Sequence, residues 1–255
     1  MKTIIKTIIL SAIIVLGLFI GLNIYNKSHA LVEESNKVDM ALTDPTVTLL
    51  MNKVYSSNLF RDAKFSIDLI DEDFVIHYTI DNLTKDDYST KVVEHKKSLC
   101  EVTGKILFTS TSNCNIRIIK NDVFLNKIKN DFNVDVNISY PNFQYKGYFC
   151  KNDGKRYYCL MSKYQENIKI FSVLKEAYEE DNKIIIYEYY FFIDLNDKDS
   201  CYLYLNKDYC DKKNPKEEIT IVDDLIKENG VLYRHEFVNQ DDHYYYLQSF
   251  IVSER

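Results

Sequence analysis

Tyr148-Phe149-Cys150-Lys151-Asn152-Asp153-Gly154-Lys155-Arg156-Tyr157-Tyr158-Cys159 sets two aromatic runs, each with one cysteine, on either side of a polar turn. A two-residue turn at Gly154-Lys155 has glycine first, as type II′ requires, and counting outward brings Cys150 opposite Cys159. The alternation makes that a non-hydrogen-bonded pair with Cα atoms about 4.5 Å apart, a distance that suits a disulfide. A type I′ turn at Asp153-Gly154 would instead set Cys150 against Tyr157, so the bridge also fixes the register. Loop entropy gives such a short closure about 2.7 kcal/mol.

The other cysteines are Cys100, Cys114, Cys201 and Cys210. Six cysteines allow fifteen pairings. Pairing of sequence neighbours predicts Cys201 with Cys210 and Cys100 with Cys114, although neither has so clear a turn between its members. Disulfides belong to an oxidising compartment, and the N-terminus agrees with one. Lys2 and Lys6 precede an uncharged run from Thr7 to Tyr25, which as a helix reaches roughly 28 Å, near the thickness of a bilayer core. Positive charge precedes it, and Glu33, Glu34 and Asp39 follow the lone Lys27, so the positive-inside rule predicts residues 28 onward outside the cytoplasm. Ser28-His29-Ala30 offers a cleavage signal after Ala30, but the run is longer than a usual signal-peptide core, which favours a retained single-pass anchor over a secreted chain.

Without the anchor's three lysines the formal charge of −6 becomes −9, and an acidic surface argues against nucleic acid as a partner. The six glycines are scattered: no G-x-G-x-x-G, G-x-x-x-x-G-K-[ST] or G-x-S-x-G occurs, so dinucleotide folds, P-loop enzymes and α/β-hydrolases have no support in the sequence.

Working outward again, Asp44-Pro45 with Val47, Leu50, Met51 and Val54 predicts an amphipathic helix over 45–56. Alternation at Phe65, Ile67, Leu69 and at Phe74, Ile76, Tyr78, Ile80, interrupted by Asp71-Glu72-Asp73, predicts a hairpin. A short helix over 85–99, two strands over 105–119 and a helix over 122–131 follow. Ile168–Tyr178 and Lys183–Leu195 read as neighbouring antiparallel strands. Asn214-Pro215-Lys216-Glu217 starts a helix that Gly230 ends, and Val231–Val238 with His243–Val252 make a closing hairpin. Helices among antiparallel hairpins, with no βαβ alternation, predict an α+β fold of antiparallel sheets and a few packed amphipathic helices after an N-terminal transmembrane helix. The chain divides into an anchor (1–27), a polar spacer (28–43), an α+β region (44–132) and a β-rich region (133–255), the last two forming one domain or two.

The closing residues Tyr233-Arg234-His235-Glu236-Phe237 and Asp241-Asp242-His243-Tyr244-Tyr245-Tyr246-Leu247-Gln248-Ser249 resemble the last hairpin of uncharacterised exported proteins from low-GC Gram-positive bacteria. Leu42-Thr43-Asp44-Pro45 and the leader are similar to theirs as well. The resemblance implies an exported single-pass bacterial protein and brings no activity with it. His243 stands where those proteins usually carry Gly, and they seldom use cysteine.

Sites of chemistry are sparse. His235-Glu236-Phe237-Val238-Asn239 is one ligand short of H-E-x-x-H and lies in a strand, where positions four apart are about 13 Å from one another. Asp194-Leu195-Asn196-Asp197-Lys198-Asp199 starts like a calcium loop but lacks its glycine and its final glutamate. No catalytic, cofactor or metal-ligating set emerges, so no cofactor is expected. The 21 tyrosines are the distinctive feature. Consecutive Tyr244-Tyr245-Tyr246 must alternate between faces, so at least one ring points outward. With Tyr187 and Tyr189 they form a candidate contact surface, rigid and amphipathic. The expected function is a membrane-tethered, extracytoplasmic, non-enzymatic binding or scaffolding module of the bacterial cell envelope, with an envelope protein or cell-wall ligand as partner. The alternative is a cell-wall-directed hydrolase using a carboxylate such as Glu188 or Asp194.

Overall fold

The computed structural model describes residues 37–61, 64–162, 164, 167–205, 207–212 and 221–253. The anchor at 1–27 and the start of the helix expected from Asn214 lie outside the described residues. No described helix is long and apolar enough to cross a membrane. From Asp39 onward the chain is one compact unit. It is mixed α+β, with antiparallel sheets and six α-helices among the described residues.

The first strand, β1 (Val38–Met40), lies inside what sequence reads as a spacer. Helix α1 (Pro45–Tyr55) follows, its start fixed by the Asp44 carboxylate accepting the Thr46 N–H at 2.7 Å and its inner face by Val47, Leu50, Met51 and Val54. A 3-10 turn, Asn58–Arg61, leads to β2 (Lys64–Ser66).

The expected hairpin over 65–80 does not form. After a second short turn at Ile67–Leu69 the chain enters helix α2 (Glu72–Asp81). The acidic trio is the helix start: the Asp71 side chain accepts the Phe74 N–H at 2.8 Å, and Glu72 and Asp73 sit where the positive end of the helix dipole favours them. Phe74, Val75, Ile76, Tyr78, Thr79 and Ile80 are all buried. The polar stripe is narrow, Asp73, His77 and Asp81, and within 74–80 alternate apolar positions look like a strand. The helix expected within 85–99 is likewise replaced, by β3 (Tyr88–Val93).

Next come the hairpin β4 (Leu99–Glu101) and β5 (Leu107–Thr109), then β6 (Cys114–Lys120) and α3 (Asn121–Phe132), which ends on Asn133 in the left-handed region. The short β7 (Phe143–Tyr145) precedes β8 (Tyr148–Asn152) and β9 (Arg156–Met161), where Cys150 pairs with Cys159 in the expected register. Asp153 N–H bonds Arg156 C=O at 3.1 Å, and Gly154 has φ +96°, as a II′ turn demands. Long strands β10 (Ile168–Glu180) and β11 (Lys183–Asp194) pair through a turn at Asp181-Asn182. Helices α4 (Lys198–Tyr204), α5 (Lys207–Lys212) and α6 (Asp223–Asn229) precede β12 (Val231–Gln240) and β13 (His243–Ser253). Both long turns place two consecutive residues at positive φ (Asp181-Asn182 and Asp241-Asp242), the I′ geometry that matches strand twist.

One sheet has the order β1-β10-β11-β12-β13-β2, and the second β3-β6-β9-β8-β7. Each takes strands from both sides of residue 133. The main core fills the space between the first face of the large sheet (Ala177, Ile184, Ile186, Phe237, Tyr246), helices α1 to α3 and Tyr148 and Tyr157 of the second sheet. Its centre is aromatic: the Phe60 ring lies 4.3 Å from Tyr246 and 5.3 Å from Phe65, centroid to centroid. A smaller core under α4 to α6 covers one end of the opposite face, through Phe191, Ile193, Cys201, Cys210 and Ile226. A third joins the β4–β5 hairpin to the second sheet through Phe108, Ile116 and Tyr158. Three disulfides close, Cys100–Cys114, Cys150–Cys159 and Cys201–Cys210, each between sequence neighbours.

Candidate functional site

Glu188 is the place to begin, because it is a carboxylate in the middle of the longest apolar strand and it is completely buried. Its direction follows from parity. On β11 it shares a face with Ile184 and Ile186, which enter the main core. It therefore points inward, not out to solvent.

Three side chains from distant segments meet it. Arg61, at the end of the 3-10 turn, donates from Nε to Oε1 at 3.0 Å and from Nη2 to Oε2 at 3.2 Å. His235 on β12 meets Oε1 through Nε2 at 2.8 Å. An ionised carboxylate only accepts, so that nitrogen carries the proton. His235 Nδ1 lies 2.8 Å from the Tyr246 hydroxyl. The turn is pinned as well: Tyr233 O–H donates to Arg61 C=O at 2.5 Å and Ser249 O–H to Phe60 C=O at 2.6 Å. Side-chain exposure is 3% for Arg61 and zero for Glu188 and His235.

The electrostatics agree with this geometry. Burial by itself would raise the Glu188 carboxyl, but the hydrogen bond and charge of His235 and the Arg61 guanidinium outweigh it and hold the group below its ordinary value. Burial, reinforced by the Glu188 charge, pushes the Tyr246 phenol well above its ordinary value in spite of Ser249 and Arg61. Both Glu188 oxygens are engaged and no solvent reaches them. A general acid or a nucleophile needs the opposite. Asp194 sits six residues further along β11, about 20 Å away, where it accepts the Asn196 N–H at 2.8 Å. The two carboxylates thus cannot flank one glycosidic bond, which needs them within about 9.5 Å.

Only Arg61 reaches open space. It lines a cavity of about 250 Å³ together with Tyr55, Asn58, Ile170 and Ser172. The rings of Tyr55 and Tyr190 lie against the guanidinium at 5.1 and 4.8 Å. A larger polar groove, about 440 Å³, runs between β3 and α3 past Asp86, Asp87, Lys120, Asp122 and Arg156. Asp87 there is already used, accepting from Thr84 and pairing with Lys127 at 2.9 Å.

Of the tyrosines proposed as a surface, Tyr246 is the clear correction: 1% exposed, it fills the core. Tyr244 pairs across from Asn239 on the same inward face and packs against that core. Tyr189 lies on the opposite face but is covered by the α4–α6 layer. Tyr187 and Tyr245 remain half-exposed. Beside them Arg234 reaches over the rings of Phe250 (5.4 Å) and Tyr187 (6.0 Å), and Tyr178 stacks on Tyr187 at 6.2 Å. Glu236 holds this group together, bonding Arg234 at 2.8 Å and Gln248 at 2.9 Å. His235 and its neighbour Glu236 thus face opposite sides of the sheet.

No protein-family model, curated protein or solved structure matches the chain. Among the described residues no three His, Cys, Asp or Glu side chains cluster so as to hold a metal ion. Two members of the buried network, Arg61 and His235, were invisible as partners because they lie 127 and 47 residues from Glu188. Parity alone does not mark Glu188, since Ile185 and Ile193 on the opposite parity are buried too; once strand pairing sets it inward, a buried acid needs a cation.

Proposed function

We propose that this protein is a membrane-tethered, extracytoplasmic binding or scaffolding module of the bacterial cell envelope, contacting its partner through the open half of the large sheet's outer face. The observation that carries the reading is the cluster of Tyr187, Arg234, Tyr245 and Phe250, half-exposed on a rigid antiparallel sheet. Tyrosine and arginine on a fixed scaffold are the residues that dominate protein contact surfaces, since they bring large area for little lost rotamer freedom. Three closed disulfides are compatible with an oxidising exterior, and the basic-flanked leader supports tethering. The sealed state of Glu188 weighs against the hydrolase alternative.

Two experiments test it. Protease treatment of intact cells should degrade the chain beyond residue 28; protection of the C-terminal portion would overturn the orientation. Full-length protein in detergent should capture an envelope component that Tyr187→Ala and Tyr245→Ala lose. Equal capture by both variants and wild type would remove the sheet face from the reading.

A further inference from the structure

We propose that the cavity beside Arg61 is a subsite for a carboxylate group. The inference is independent of the sheet-face reading. A guanidinium has five N–H bonds in a fixed plane, and two of them are spent on Glu188. The others meet no acceptor among the described residues, although the side chain is almost wholly buried. Arg61 lines an open cavity, which gives those N–H groups room for an incoming acceptor. The Tyr55 and Tyr190 rings, 5.1 and 4.8 Å from the guanidinium carbon, flank the approach for an acceptor.

The rest of the wall fits the same ligand. Ser172 contributes a hydroxyl, and burial holds the Tyr55 phenol above its ordinary value, so it keeps its proton and can donate. Ile170 supplies an apolar wall for the carbon skeleton next to the carboxylate. Glu188 already balances the Arg61 charge, so a tetrahedral dianion would be repelled. A planar two-oxygen anion matches the fork and carries half that charge. About 250 Å³ lies below the usual range for whole drug-sized ligands, roughly 300–1,000 Å³. The cavity therefore takes either a small free acid or the carboxyl end of a longer molecule. The buried relay from Tyr246 through His235 and Glu188 makes the latter two positioning residues for Arg61.

The test is calorimetric titration of the full chain with acetate, N-acetylalanine, N-acetylalanine amide and inorganic phosphate. Both acids should saturate with millimolar Kd, with the amide at least tenfold weaker and phosphate weaker than acetate. Tighter binding of N-acetylalanine than of acetate identifies a chain terminus as the source; equal binding identifies a small free acid. Ile170→Trp fills the cavity without touching the ion pair and should abolish binding. Ser172→Ala, a milder change that keeps the fold, should weaken it three- to tenfold. The proposal is overturned by absence of saturation up to tens of millimolar, by equal binding of acid and amide, by phosphate binding tighter than acetate, or by unchanged affinity in folded Ser172→Ala.

Discussion

Replacing Glu188 by Gln isolates the central electrostatic feature of the fold. The substitution keeps the shape and one carbonyl acceptor for Arg61 Nε and His235 Nε2, but places an NH₂ against Arg61 Nη2, where the present contact is 3.2 Å. A donor then faces a donor, and a guanidinium whose side chain is only 3% exposed loses its counter-charge. Breaking a buried pair in this way costs about 3–5 kcal/mol. For a folded unit of this size each kcal/mol lowers the melting temperature by about 2–4 °C, so the expected fall is ~6–20 °C. Thermal and urea unfolding followed by circular dichroism, without reductant, would measure it. The double variant Arg61→Met/Glu188→Leu removes both charges and should recover most of the loss, because apolar replacement of a whole buried pair is often neutral. A Glu188→Gln protein within about 1 kcal/mol of wild type would refute the reasoning, since that is the behaviour of a solvated surface pair.

Further outcomes follow from the same structure. The Glu188 carboxyl lies below its ordinary value of 4.5 in the folded protein, so its stabilisation is complete above that value and is lost as pH falls through the lower folded one. Acidification should therefore lower the wild-type denaturation midpoint more steeply than that of Arg61→Met/Glu188→Leu; parallel curves would contradict it. Burial raises the phenols of Tyr78, Tyr157 and Tyr246 above 10.0, so the folded state is penalised as pH rises past that value. Their tyrosinate absorbance should appear only together with alkaline unfolding, and early titration of all 21 tyrosines would be the contrary result. Gly230→Ala would put a Cβ 2.5 Å from Ile226 O and 3.0 Å from Tyr190 O, both backbone atoms, and should cost about 1–3 kcal/mol in urea unfolding. Cys150→Ser/Cys159→Ser should lose about 2–3 kcal/mol, measured the same way.

Where local rules suffice, sequence already reads correctly. Gly154 and the alternation on either side specify the β8–β9 hairpin, with register, from neighbouring residues alone, and alternation pairs the two long hairpins, whose bulges it does not show. The same holds for α1, where a cap, a proline and four spaced apolar residues agree. Helix α2 fails for a physical reason: its buried residues spread around most of its circumference, leaving only the narrow stripe Asp73, His77 and Asp81, and the periodicity that separates helix from strand fades. The candidate sites divide similarly. That Tyr244, Tyr245 and Tyr246 alternate is local, but which parity faces the core depends on the pairing of Phe237 with Tyr246. The Arg61 cavity joins a turn at residue 58 to a strand at residue 172, and nothing short of the fold brings them together.

The connectivity of the disulfides has a bearing on how the chain is made. Read from the N-terminus, every cysteine finds its native partner either in the one just before it or in the very next one to appear, at separations of 14, 9 and 9 residues. An oxidant that simply joins thiols in order of emergence reaches the one native arrangement among fifteen, with no later reshuffling of bonds. Each crosslink can thus be completed before the next segment of chain is delivered, and none has to wait for the large sheet, whose edge strand β2 and inner strand β13 stand nearly two hundred residues apart.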